Sequence, residues 1–338
     1  MPEENSTAFQ VYVDKIKSYF SNNKIHKKKA TVVFVILFVF SSVYIHMHSP
    51  PSDFPLGSIL TVSSGQSLQD ITMTMYNSHV IRSPFFFRFH TILQGGEKRI
   101  IAGDYLLDRR EGSADLAYRL VHGQSHLVAA KITIPEGWNV YQIGDYLEKT
   151  LIKFNKAEFL SLAKKEEGRL FPETYFVSPT VKPSVIIGTM RKTFDDKVST
   201  LSGISTSTHS IKDIIIVASI LENEARTTES RRIIAGILWK RLSLRMPLQV
   251  DSTFSYINGK NTYELTADDL KINSPYNTYL YNGLPPGPIS NPGLDAITSA
   301  ITPINTKYLY FLSSRSGVMY YAKTFDEHKK NKDLYLNK

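Results

Sequence analysis

The sequence predicts an α+β fold behind a single membrane-crossing helix, and three observations predict it. One nearly uncharged run at residues 30–52, "ATVVFVILFVFSSVYI" at its centre, has no counterpart elsewhere in the chain. Two short units, around Gly65 and Gly137, each read as strand, glycine turn and helix. A predominantly helical stretch from residue 153 to about 244 is followed by one dense in Pro, Gly, Asn and Tyr, and then by a closing strand pair and helix. At 338 residues and 42% hydrophobic content the chain exceeds one small domain and is apolar enough for a true core.

The apolar run is long enough to cross a bilayer at about 1.5 Å per residue with help from its flanks. A cleaved signal peptide or a buried core helix would also be apolar, but "KIHKKK" ends immediately before the run. The polar stretch before it is longer than a signal n-region, and no small-x-small cleavage site follows. We therefore expect an uncleaved single-pass anchor at residues 30–49. The tail at residues 1–29 carries lysines 15, 17, 24, 27, 28 and 29 against Glu3, Glu4 and Asp14, a charge of +3. By the positive-inside rule that tail is cytoplasmic and the rest is exported from a bacterial inner membrane. Of the net charge of +9, +6 then lies outside, which suits an anionic wall or membrane surface as well as an ordinary solvated face. No nucleic-acid partner is expected there. The absence of cysteine excludes disulfides and thiolate metal sites, and nine scattered histidines suggest no metal centre.

Along the exported chain, "SPPSDFPLGS" (49–58) has the composition of a short stiff spacer. Gly65-Gln66-Ser67-Leu68 then aligns with Gly137-Trp138-Asn139-Val140, each after a β-type run, with Ser67 and Asn139 where a side chain would cap a helix. Between them "RIIAGDYLLDRREGSADLAYRLVHGQ" reads as strand, turn and a helix begun by Ser113. This pattern looks like a LysM-type module, which in other proteins binds aminosugar polymers, so residues 50–150 are expected to form a LysM-like α/β region. Residues 151–338 form the second, mixed α+β domain, ending in two strands around Ser316-Gly317 and a helix.

The chemistry concentrates in that second domain. In "IKDIIIVASILENEAR" the residues Ile215, Ser219, Glu222 and Arg226 share one helical stripe. A carboxylate at the edge of an apolar face is desolvated, which raises its pKa and suits a general acid. Helix geometry alone also allows a solvent-facing Glu222–Arg226 pair. Glu224, about 200° away, points elsewhere. "GRLFPETYFV" sets Glu173 in an irregular place where backbone amides can reach a carboxylate, and "LQVDSTFSYING" puts Gln249 and Asp251 on one side of a strand-like stretch. "SPYNTYLYNGLPPGPISNPG" (274–293) is a stiff loop whose tyrosines and amides could face pyranose rings and hydroxyls, though single tyrosines are also core or hinge residues.

These segments, "EGRLFPETY", "ASILENE", "LQVDSTFSY", "SPYNTYLYNGLPPGPISNPG" and "YLYF", in this order behind one anchor, resemble the MltG (YceG-like) endolytic murein transglycosylase family. The resemblance implies a YceG-like catalytic domain that cuts the β-1,4 bond between N-acetylmuramic acid and N-acetylglucosamine within peptidoglycan strands. It leaves a 1,6-anhydro end, limits the length of nascent glycan, works beside cell-wall synthases and needs no cofactor. It also implies that Glu222, in Ser219-Ile220-Leu221-Glu222, is catalytic. The substrate-binding residues expected are Glu173, Gln249, Asp251, Tyr276, Asn277 and Thr278, with loop 274–293 excluding water. The chain departs from the family at Ser252, commonly proline, and at Met319, often histidine.

One glutamate suffices for such a reaction, because the sugar's own C6 hydroxyl replaces water, whereas ordinary glycosidases use two carboxylates. Two rivals stand beside it: a wall-binding scaffold without turnover, and a hydrolase pairing Glu222 with Asp251 or Glu173.

Overall fold

The computed structural model describes residues 4–21, 24–260, 262–314 and 316–336. It forms two compact units, residues 1–127 and 128–338. The expected boundary at 150/151 falls inside the second, because a strand before it pairs with a strand after it.

In the first unit, α1 (Glu4–Ser21) and α2 (Lys24–His48) occupy the N-terminal region, so the tail expected only to be polar is largely helical. Within α2, Lys28–His48 is long and apolar enough to cross a membrane, with mean hydropathy 2.2 and none of its apolar window buried. Then follow β1 (Ile59–Val62), α3 (Leu68–Asn77), α4 (Pro84–Leu93), β2 (Gly103–Leu106) and α5 (Ser113–His122). β1 and β2 pair antiparallel, Ile59 opposite Leu106. Ser67 caps α3 in a reciprocal box with Asp70. Phe54, Met75, Phe87, Leu107, Leu116 and Leu120 fill the core. The proline-rich segment expected to be a spacer is part of this body. Phe54 is buried, and Arg82 and Arg110 donate to the carbonyls of Pro50 and Ser52 at 3.1 and 2.7 Å. Its apolar ring and its carbonyls had partners that composition could not reveal.

The second unit begins with β3 (Ala130–Thr133), α6 (Val140–Thr150), α7 (Lys156–Ala163), β4 (Thr174–Val177) and α8 (Pro183–Ser199). β3 pairs antiparallel with β4, Ile132 opposite Tyr175. The stretch expected to be predominantly helical is so, apart from a strand where "TYFV" alternates against β3. Asn139 caps α6 in a box with Gln142, the same arrangement as at Ser67.

Next come α9 (Ile211–Glu224), α10 (Thr228–Ser243), α11 (Thr253–Ile257), α12 (Leu294–Ile301), β5 (Tyr310–Ser313), β6 (Met319–Ala322) and α13 (Phe325–Tyr335). The terminal hairpin and closing helix lie where the sequence puts them, and Met319 packs on the core. Ser210 starts α9 by accepting from the Asp213 amide. Every residue of α9 from Ile214 to Leu221 is buried. A helix apolar all round belongs at a core's centre. α12 and α10 pack against it, and each fully buried Leu or Ile contributes about 1.5–3 kcal/mol.

Residues 248–251 are not a strand. Gln249 has φ +52°, and the chain turns there into α11. Leu248 and Val250 still point inward, so the alternation of burial is right and the element wrong.

Gly168 carries φ +83°, and its Cα meets the Pro288 ring so closely that an added Cβ would overlap it. Gly168→Ala is expected to destabilise the protein by at least about 2 kcal/mol, from left-handed strain plus overpacking. Denaturant unfolding of the two proteins checks this, and equal midpoints would contradict it.

Candidate functional site

Glu222 lies in the last turn of α9 with its side chain 6% exposed. Its two oxygens have different partners. Oε1 pairs with Nη2 of buried Arg231, from α10, and Oε2 accepts the Gly293 amide at 2.9 Å. Arg231 is fixed in turn by the Asp295 carboxylate at 2.5 Å and the Ala225 carbonyl at 3.1 Å. The solvent-facing pair with Arg226 is not formed. Arg231, nine residues on and across a chain reversal, takes its place. No helical spacing on α9 could have predicted that.

Burial pushes the Glu222 carboxyl above the ordinary glutamate value. The Gly293 amide and the Arg231 charge pull it down without cancelling the effect, and the nearby carboxylates of Glu136 and Asp295 add to the rise. Each oxygen keeps a second lone pair beyond the bonds named, where a proton or a substrate hydroxyl can sit.

Gly293 reaches Glu222 because its loop is pinned to α9. Ile289 donates its amide to Ser219 Oγ, Ser290 Oγ donates to the Ser219 carbonyl, and Asn223 Nδ2 reaches Ser290 Oγ at 2.9 Å. Asn291 ties the same loop to the turn before α6. Its amide and side chain both donate to the Trp138 carbonyl, and its carbonyl accepts from Gly137. Gly137, at φ +80°, lies over Glu222 Cγ. Its neighbour Glu136 lays its carboxylate against the Gly293 Cα, where no side chain would fit. Two carboxylates therefore flank Gly293.

Beneath this junction Glu167 is buried, bonded to the Val140 amide and to Asn291, and burial pushes it up to about 8. Tyr141, Tyr256 and Tyr276 cluster with ring centroids 6.0 and 4.8 Å apart.

The other expected residues divide. Asp251 accepts from the Tyr279 hydroxyl at 2.5 Å and is raised by burial. It neighbours Glu224, which burial pushes up to about 7 and which accepts the Ser252 amide at 3.3 Å. Glu224 thus points away from Glu222's partners, as the helix angle requires. Gln249 is exposed, and its amide donates to the Thr278 carbonyl. Asn277 is fully buried, with Nδ2 bonded to the Leu270 and Ile272 carbonyls and Oδ1 to the Tyr279 amide. Thr278 is 2% exposed and accepts the Val250 amide. Both side chains are taken up in bracing their loop. The sequence offers them as sugar-facing groups, and in the fold their polar atoms serve the loop itself: stiff loops need internal amide partners, and Asn277 is one. Glu173 bonds to the Thr174 amide and stands 3.7 Å from Lys197, contacts that do not include Glu222.

Reading the sequence singled out neither Glu136, Arg231, Glu167 nor Asn291. Glu136 and Glu167 each left the same signal, an acid immediately before a turn glycine, in "IPEGWN" and "EGRLFPETY".

A sequence profile of the YceG-like family matches residues 60–334. An endolytic murein transglycosylase of Bacillus subtilis (strain 168) is 32% identical over 306 residues, covering 82% of this chain and 84% of the relative. One of Streptococcus pneumoniae is 30% identical over 319 residues, and there the match covers 82% of this chain and 58% of a longer relative. The crystal structure of a yceG-like protein from Listeria monocytogenes, 30% identical, aligns with a TM-score of 0.55 over 81% of this chain and 98% of that one. With the profile matched along most of its length and these relatives on either side of it, the chain belongs to the YceG-like family.

Proposed function

We propose that the protein is a membrane-anchored endolytic murein transglycosylase in which Glu222 serves first as acid and then as base. The observation that carries this is a carboxyl 6% exposed, next after the buried stretch Ile214–Leu221 of its helix, raised by burial and aimed by Arg231 and the Gly293 amide. The names of its relatives give the substrate class, and the site supplies one well-held proton donor.

In this reading protonated Glu222 gives its proton to the glycosidic oxygen as the bond from C1 of N-acetylmuramic acid breaks. The leaving N-acetylglucosamine departs with a free 4-hydroxyl. The C6 hydroxyl of the muramic residue attacks C1, forming the 1,6-anhydro ring, and its proton returns to the Glu222 carboxylate. Atoms balance without water. Intramolecular attack has a large entropic advantage over a free alcohol. Arg231 stabilises the carboxylate that exists between the two transfers. Tyr276, half-buried beside Tyr256, stays the best placed of the expected sugar-facing residues, and exposed Gln249 is free to meet the glycan. The Lys28–His48 helix anchors the enzyme, with its lysine-rich tail in the cytoplasm and the second unit outside, beside the wall synthases.

The hydrolase alternative has one observation on its side, the Glu136 carboxylate across Gly293 from Glu222. Asp251 and Glu173, considered for that role from the sequence, are engaged elsewhere.

Glu222→Gln is expected to lower the cleavage rate about a hundredfold to ten-thousandfold with the fold intact, since an amide cannot donate as an acid. Comparable rates on isolated murein, with unchanged circular dichroism, would end the assignment. Digestion in heavy-oxygen water should give anhydro ends, one water lighter than reducing ends and free of label. Label at the new ends would make this a hydrolase with Glu136 as the second carboxylate. Arg231→Gln removes a charge that lowers the Glu222 pKa, so the acid form should persist to higher pH. The alkaline limb of the kcat/KM profile is expected to move upward, and a fixed or lowered limb would contradict the pairing.

A further inference from the structure

The outer face of α4 is apolar where a water-facing helix would be polar. Phe85, Phe89, Ile92 and Leu93 are 70, 45, 48 and 67% exposed, at spacings of four, three and one. At 100° per residue they fall on one arc, with Arg88 at its edge and no acidic residue anywhere on the helix. Phe87 and Thr91, on the opposite side, enter the core of the first unit. Soluble helices bury such a stripe or lack it.

What lies beside α4 identifies the occupant. The Phe86 ring meets Tyr44 edge-on at 5.3 Å, and the His90 ring lies 4.8 Å from His48. Residues four apart on α4 thus match residues four apart on α2, so the two helices run side by side in the same direction at this point. Tyr44 and His48 are the last turn of the span Lys28–His48. Its 21 residues rise about 31 Å, close to the thickness of a hydrocarbon core. If Lys28 and Lys29 sit at the inner surface, His48 reaches the outer one, and Phe86, level with Tyr44, lies about 6 Å beneath it. The arc of Phe85, Phe89, Ile92 and Leu93 is then at the depth of headgroups and upper acyl chains, where apolar helix faces and a snorkelling arginine are stable.

We propose that α4 is a membrane-seated helix: its outer arc is buried in lipid of the outer leaflet, giving the first unit a second hold on the membrane beside the anchor. The seat fixes how the first unit stands on the bilayer, where a spanning helix alone would leave it free to swivel. This inference rests on the anchoring reading above, and its test separates the two.

The chain has no cysteine, so single substitutions label cleanly. Full-length Phe89→Cys and Phe38→Cys proteins, each carrying an environment-sensitive fluorophore, are placed in nanodiscs of phosphatidylcholine and phosphatidylglycerol. The label at 89 should emit to the blue, resist aqueous iodide and lose intensity to nitroxide lipids labelled near the headgroup. The label at 38 should lose most to nitroxide near the chain end. Iodide access at 89 with quenching at 38 would overturn the seat and leave the anchor standing. Protection at 89 from both quenchers would mean that protein covers the arc, which also overturns it. No nitroxide quenching at 38 would refute the anchor and the seat together.

Discussion

A carboxylate taken almost wholly out of water is costly, by several kcal/mol, unless charge and hydrogen bonds replace what water supplied. Glu222 is in that position, and the surrounding structure meets the requirement. Arg231 comes from α10 and the Gly293 amide from the start of α12, so two neighbours of α9 must be in register for the site to exist. Arg231 needs partners of its own and finds them in Asp295 and the Ala225 carbonyl. Removing one member leaves another buried and unpaired, so stability and chemistry here draw on the same contacts.

That dependence explains the density of polar bonds in an otherwise apolar core. Ser219 is buried among isoleucines, yet its hydroxyl and carbonyl hold Ile289 and Ser290, which carry the loop to Gly293. Asn291 spends its amide group on the Trp138 carbonyl and on Glu167, drawing the Gly137 turn over the glutamate. Glu167, raised to about 8, is chiefly neutral at pH 7, so this scaffold holds a buried acid without a buried charge. The balance at Glu222 differs: Arg231 keeps the ionised form accessible, as a group that must both give and take a proton requires.

Much of the fold was legible because it rests on local rules. Ser67 and Asn139 cap helices after glycine turns, Ser113 opens α5, and the final hairpin turns at Gly317, each from a short pattern. Two of the failures share one cause, partners far along the chain. β4 was missed because its alternation has meaning only opposite β3. The segment at 49–58 read as a spacer because its partners, Arg82, Arg110 and the first unit's core, lie far along the chain. The stretch at 248–251 kept its in-and-out burial but not its strand, since Gln249 takes a left-handed conformation that composition does not announce.

The site divides in the same way. The sequence by itself determined that Glu222 ends an apolar helix, that Glu224 must face another direction, and that one lysine-flanked run is long enough to cross a membrane; each follows from periodicity within a single element. Only the tertiary structure decided that Arg231 and not Arg226 answers Glu222, that Asn277 and Thr278 brace their loop from within, and that Glu136 stands across Gly293. The physical reason is range. Helical angles and caps are set by neighbours within four residues, whereas desolvation and pairing of a charge depend on atoms brought together from far along the chain, such as the Gly293 amide 71 residues after Glu222 and the Glu136 carboxylate 86 before it.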